Sequence, residues 1–351
     1  MPICSPMRPA RANDTSVRRA PRLSRRLTVA CALVVLLLLA MALSVAFGAR
    51  QVGLAEIIAA VSGRVETLGD AAVASRIPRT LLALLAGAAL AISGGVMQGL
   101  TRNPLADPGL LGVNAGAALA VVMGIAWFRI DDLAHYIWFA LGGAALAAVG
   151  VYAIASVARG GATPLRLALA GAAVTAALSS LTTAIILPRG DIGGLVQSWL
   201  VGGVGGATYA QILPILPFLL AGLVISLLAA RKLNLLALGD DTAAGLGEKV
   251  ALARALSAIG AVLLCAPVTA ACGPIGFVGL VVPHACRLLA GGDYRWLLPF
   301  SALGGAILLT LSDVLGRLIA RPDELDVGIV TAFIGAPVFI WIVRRRKVGA
   351  L

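Results

Sequence analysis

Long apolar runs, each closed by a few polar or glycine- and proline-rich residues, make up nearly the whole chain. Crossing roughly 30 Å of hydrocarbon takes about 20 apolar residues, and runs near that length recur. They predict membrane spans near 27–48, 79–100, 109–128, 133–157, 165–187, 209–230, 251–272, 276–290, 297–319 and 327–343. The shortest, 276–290, carries Gly276, Gly279 and Pro283. Between the first two spans, residues 49–78 hold Glu56, Glu66 and Asp70 and predict a short surface helix; 188–208, around "LVQSWLV", predicts a short helix that re-enters the membrane or lies at its interface. The pattern therefore describes an all-α polytopic membrane protein: ten transmembrane helices over 27–346, with both termini cytoplasmic, preceded by a basic arm at 1–26. That arm offers nothing to bury and is expected to stay unfolded.

Composition supports the bilayer as solvent. The chain is 60% hydrophobic and only 13% charged, where soluble domains carry about 25% charge. The net charge of +12 reads as a topology signal, because positive loops stay in the cytoplasm. With both ends inside, the arm, Arg102, Arg159, Arg166, the 231–254 stretch, Arg287, Arg295 and 344–347 all fall on the inner side. Arg50, Arg64, Arg76, Arg79 and Arg321 are among the few that face out. Nucleic acid is not an expected partner. The first apolar run follows the basic arm and is long enough to span, so it predicts an uncleaved first helix and not a signal peptide.

The search for chemistry returns mostly absences. The five cysteines are scattered, with no CxxC or other metal spacing, and read as small apolar fillers. There is no HExxH and no GxxxxGK[ST] loop to cradle phosphates, so no catalytic residue, metal or cofactor is expected on this chain. Intramembrane charge is scarce, Asp313 with Arg317 being the main pair. This counts against a stand-alone secondary transporter, which would need ionisable relays within the bilayer.

Four constellations stand out. "RNPLADPGLLGVNAGA" (102–117) interrupts the apolar pattern. Pro104 and Pro108 predict a short rigid inner loop, Asp107 a cap for the next helix, and Gly112 and Gly116 a small-xxx-small packing seam. Arg76 and Arg79, three apart at the start of the second span, predict an outward pair on one face, either lipid anchors or a docking site, with Arg317 and Arg321 on the same side. Thr175, Ser179 and Thr182, joined by Thr183, form a polar stripe on an apolar helix, which suits a wetted pathway wall or simple backbone bonding. "NLLALGDDTAAGLGEKV" (234–250) predicts a short inner helix starting at Asp240 and Asp241, with turns at Gly239, Gly245 and Gly247. "DPGLLGVNAG" and "GPIGFVGLVV" also echo each other from opposite faces, as an inverted repeat would.

The stretches 76–117, 238–247, 273–296 ("GPIGFVGLVVPHACRLLAGGDYRW") and 313–346 resemble, in order, the permease subunits of ABC importers for iron-siderophore complexes, haem and cobalamin. The wording is most similar to that of ferric-siderophore permeases. The resemblance implies a pair of ten-helix permeases, identical or related, in the inner membrane. They would sit on two ATPase subunits that use ATP and Mg, and take cargo from an extracytoplasmic substrate-binding protein. It assigns ATPase coupling to Leu238, Gly239, Asp240, Asp241, Ala244, Gly245, Leu246 and Gly247. It assigns binding-protein docking to Arg76, Arg79, Arg317 and Arg321, and the translocation pathway to Thr175, Ser179, Thr182 and Thr183.

Overall fold

The computed structural model describes residues 23–130, 133–157 and 164–345, and all regular structure among them is helical. In order come α1 (Leu23–Ala46), α2 (Leu54–Val61), α3 (Leu68–Leu100), a 3-10 turn (Pro108–Leu111), α4 (Val113–Phe128), α5 (Leu133–Ser156) and α6 (Pro164–Ile186). Then follow α7 (Gly190–Val201), α8 (Tyr209–Ile212), α9 (Leu216–Leu236), α10 (Asp240–Gly245), α11 (Val250–Cys272), α12 (Val278–Ala290), α13 (Tyr294–Ile319) and α14 (Val327–Arg345). Within α1, α3, α5, α6, α9, α11 and α13 lie stretches long and apolar enough to cross a membrane, while α4, α12 and α14 are shorter apolar helices. The chain is a polytopic membrane protein. Most of the basic arm, the Arg159 loop and the last basic residues lie outside the described residues.

The bundle is organised around α3, which packs against α13, α11, α12, α9 and α1. At 1.5 Å per residue its 33 residues extend about 50 Å, more than a bilayer core is thick. Between membrane helices there is no hydrophobic effect to exploit, so contact depends on close backbone approach at small residues. A β-carbon on Gly94 would lie 1.9 Å from the Gly279 carbonyl oxygen on α12, and one on Gly87 2.2 Å from that of Gly305 on α13. The expected seam on α4 is present too, where a β-carbon on Gly116 would meet the Gly143 carbonyl of α5 at 2.4 Å.

Several predicted boundaries move, each for a local reason. The second span begins at Leu68 and not at 79. Thr67 and Asp70 form a capping box, with Asp70 N–H donating to Thr67 Oγ1 at 3.1 Å and Thr67 N–H to Asp70 Oδ2 at 2.8 Å. The helix then continues through Pro78, so Arg76 and Arg79 sit in its third and fourth turns and not at its start. The expected surface helix is α2, laid over that first turn with the Glu56 carboxylate against Gly69. The third span begins at Val113 because Gly112, at φ +69°, breaks off the 3-10 turn. Asp107 caps that turn, accepting from Gly109 N–H at 2.9 Å. The sixth predicted span corresponds to α9, shifted toward the C-terminus from 209–230. Pro217 sits in its first turn, where a missing N–H costs nothing, and the C-terminal end carries Lys232, paired with Glu248 at 2.6 Å.

Candidate functional site

Three places concentrate polar chemistry: one end of the α3–α13 pair, a groove beside α6, and α10 at the opposite end.

At the first, three of the four predicted docking arginines turn into the bundle. The last carbonyls of a helix lack intrahelical partners, and at α1 two guanidiniums supply them. Arg76 donates to Val45 O at 3.0 Å, Ala46 O at 2.9 Å and Arg50 O at 2.6 Å. Arg317 donates to Ser44 O at 3.1 Å and Phe47 O at 3.0 Å, and to Ser44 Oγ at 2.8 Å. Both residues are buried, at 6% and 1% exposure. Asp313 is shared, bridging Arg317 at 2.9 Å and Arg79 at 2.8 Å, and Arg79 also reaches Glu324 at 2.5 Å. Arg321, which donates to Gly48 O at 2.6 Å, is the one of the four that stands exposed. The expectation of an outward Arg76/Arg79 pair on one face is corrected: Arg76 points to α1 and Arg79 to α13. Asp326 lies in the α13–α14 connection. Burial raises its carboxyl above the usual range, Arg79 pulls it back, and Glu324 adds to the rise.

The groove is where the hydroxyl stripe meets its surroundings. Thr175, Ser179, Thr182 and Thr183 line a cavity of about 260 Å³ together with Asn114, Ala115, Ala118, Leu200 and Pro274. Thr182 and Thr183 donate to the carbonyls four residues earlier, at 2.9 and 3.0 Å, which uses the proton of each hydroxyl and leaves its oxygen able to accept. Thr175 instead donates to Gly109 O in the 3-10 turn at 3.3 Å. Sequence reasoning passed over Asn114, whose Oδ1 accepts from Cys265 Sγ at 2.9 Å and Thr269 Oγ1 at 3.4 Å. The signal was legible: a lone amide in an apolar helix asks for a reason. The two echoing phrases converge here, since Asn114 belongs to one and Pro274 to the other, and Asp107 lies against Gly279.

At the third place, α10 projects from the bundle. Gly239 (φ +118°) and Gly247 (φ +84°) make the turns on either side, whereas Gly245 is simply its last helical residue. Leu238 and Leu246 are 61% and 62% exposed, and Asp241, Ala244, Gly245 and Gly247 are exposed beside them. Asp240 turns back to the bundle, bridging Arg254 at 2.7 Å and also Arg102. Asn234 fixes the neighbouring corner, donating to Asp293 at 2.7 Å and accepting from Tyr294 N–H at 3.0 Å.

Comparison with known proteins adds a family and a fold. The model of the FecCD transport family matches residues 36–345. The chain belongs to that family. It is 43% identical to the ferric enterobactin transport system permease protein FepD of Escherichia coli, over 90% of this chain and 95% of FepD. It is 41% identical to the hemin transport system permease protein HmuU of Yersinia pestis, over 78% and 82%. A solved inward-facing structure, described as a metal-chelate type ABC transporter, superposes with a TM-score of 0.76 at 29% identity, covering 91% of this chain and 99% of that one. The family match therefore runs from within α1 to the end of α14.

Proposed function

We propose that this chain is the permease subunit of an ATP-driven importer that carries ferric siderophores across the inner membrane. The observation that carries the reading is the near end-to-end match to a ferric enterobactin permease, in a chain that presents an uncharged polar groove and an exposed, leucine-tipped helix. The groove holds about 260 Å³, below the roughly 300–1,000 Å³ typical of sites enclosing a small ligand. It is one wall of a pathway that a second permease, identical or related, completes against α6.

The ten apolar helices, taken in order, cross alternately with both ends inside. The antiparallel pairing of α3 and α13 supports this: Gly99 lies against Tyr294 at one end, and Arg79 pairs with Asp313 at the other. The short helices α4 and α12, entered through the two echoing phrases, are the matching elements of an inverted repeat. On the inner face, Leu238, Asp241, Ala244, Gly245, Leu246 and Gly247 meet one of two ABC ATPases, which bind the ATP and Mg; this chain holds no cofactor. On the outer face a substrate-binding protein docks on Arg321 and the exposed rim of the Arg79–Glu324 pair, with Arg76 and Arg317 holding that surface in place. ATP-driven closure of the ATPases shifts α10, and the pathway helices exchange outward for inward access.

The test is uptake by proteoliposomes containing the assembled complex, its binding protein and internal ATP, offered ferric siderophore, haem or cobalamin. ATP-dependent uptake of the ferric siderophore alone is expected. Preference for haem or cobalamin would overturn the cargo, and transport by this chain without its ATPase would overturn the importer.

A further inference from the structure

We propose that the loop from Arg102 to Gly109 is a strut that transmits movement of α10 to the pathway wall on α6, with Asp240 and Arg102 as the positioning residues at its inner end. The inference rests on the importer reading and adds the part that connects its two sites.

The strut is continuous on polar contacts. Asp240, the first residue of α10, pairs with the Arg102 guanidinium, whose Nε also donates to Leu236 O at 2.6 Å. Arg102 adopts φ +51°, a left-handed conformation that a non-glycine residue takes only where its surroundings impose it. From there the chain is locked against flexing. Asn103 Oδ1 accepts from Leu105 N–H at 3.0 Å, its carbonyl accepts from Ala106 N–H at 3.0 Å, and Asp107 Oδ1 accepts from Gly109 N–H at 2.9 Å. Pro104 and Pro108 remove two further backbone rotations. At the far end Gly109 O receives the Thr175 hydroxyl at 3.3 Å, and Gly112 lies against Val174 on the same helix. A rigid segment pinned at both ends moves as one body, so a displacement of α10 reaches the hydroxyl stripe directly. Coupling of this kind has physical content only if each end biases the other.

Asp240 has a second bridge, to Arg254 on α11, which provides the control. In the complete complex, Arg102→Leu and Asp240→Asn cut the strut, Thr175→Val cuts its pathway end, and Arg254→Leu cuts only the side bridge. None of these touches the exposed leucines of α10, so ATPase association is expected to persist. Arg102→Leu, Asp240→Asn and Thr175→Val should keep ATP hydrolysis while cargo moved per ATP falls about tenfold, within the usual range of coupling between sites. Arg254→Leu should leave that ratio unchanged. In the Arg254→Leu background, exchanging the pair (Arg102→Glu with Asp240→Lys) should restore coupling lost in either single exchange. An unchanged ratio in Arg102→Leu, equal losses in Arg254→Leu, or no recovery in the exchanged pair would overturn the strut. Failure of the importer reading looks different, because the unaltered complex would then show no ATP-driven uptake.

Discussion

Arg317 is 1% exposed inside a membrane bundle, and its burial is tolerable because every direction its guanidinium faces is occupied. One side meets Asp313, and the other meets the carbonyl end of α1, where the helix dipole also favours positive charge. Replacing it with leucine leaves Asp313 with Arg79 alone and strips the Ser44 and Phe47 carbonyls of their donor. We expect Arg317→Leu to destabilise the protein by about 3–5 kcal/mol, the usual cost of breaking a buried pair, read as a lowered melting temperature in detergent. Arg321 is exposed, so Arg321→Glu should change stability by no more than about 0.5 kcal/mol. The same variant should weaken docking of the binding protein, the more so at low salt, where exposed charges are least screened. Unchanged affinity across salt concentrations would remove Arg321 from the docking surface.

At the scale of elements, two kinds of surface do different work. Where α3 crosses α12, the backbones touch, and Gly94→Ala would drive a methyl group to 1.9 Å from the Gly279 carbonyl. We expect a loss of about 1–3 kcal/mol from such overpacking, while Gly142→Ala on α5, which meets nothing within 4 Å, should be neutral. Helix α10 is the opposite case, since it packs little of itself and leaves Leu238 and Leu246 in the open. Exposed leucines on a short projecting helix fit a partner's cleft. Leu246→Asp should abolish co-purification of the ATPase without lowering the yield of the permease, and retained association would move the contact elsewhere. Asp241→Lys should weaken association too, whereas Asp240→Asn should spare it, because Asp240 faces the bundle.

For the whole molecule, the topology makes a directional claim. With the alternating topology proposed above, Arg64→Cys, beyond α2, and Gly245→Cys, at the end of α10, are expected to react with a membrane-impermeant thiol reagent from opposite sides. Cys265, Cys272 and Cys286 are buried and should contribute little background, whereas Cys4 and the exposed Cys31 are first replaced by serine. Labelling of both from the same side would reverse the parity of the helices between them.

The all-helical membrane character, the order of apolar segments, the polar stripe on α6 and the existence of α10 were legible in the sequence, because each depends on local periodicity and on whether a residue suits lipid. The family was legible too, through motifs such as "RNPLADPGLLGVNAGA" that impose local backbone geometry. The partners of the charged residues were not legible. Arg76 and Arg79 look equivalent in the sequence, yet one caps α1 and the other pairs with Asp313, 234 residues away. Asp240 and Asp241 look equivalent, yet one faces Arg102 and the other faces out. Asn114 joins the groove only because α4, α6 and the turn before α12 converge on it. A sequence specifies which groups need partners; only the packing of distant helices decides which partner arrives, since that choice depends on approach geometry that no local pattern encodes.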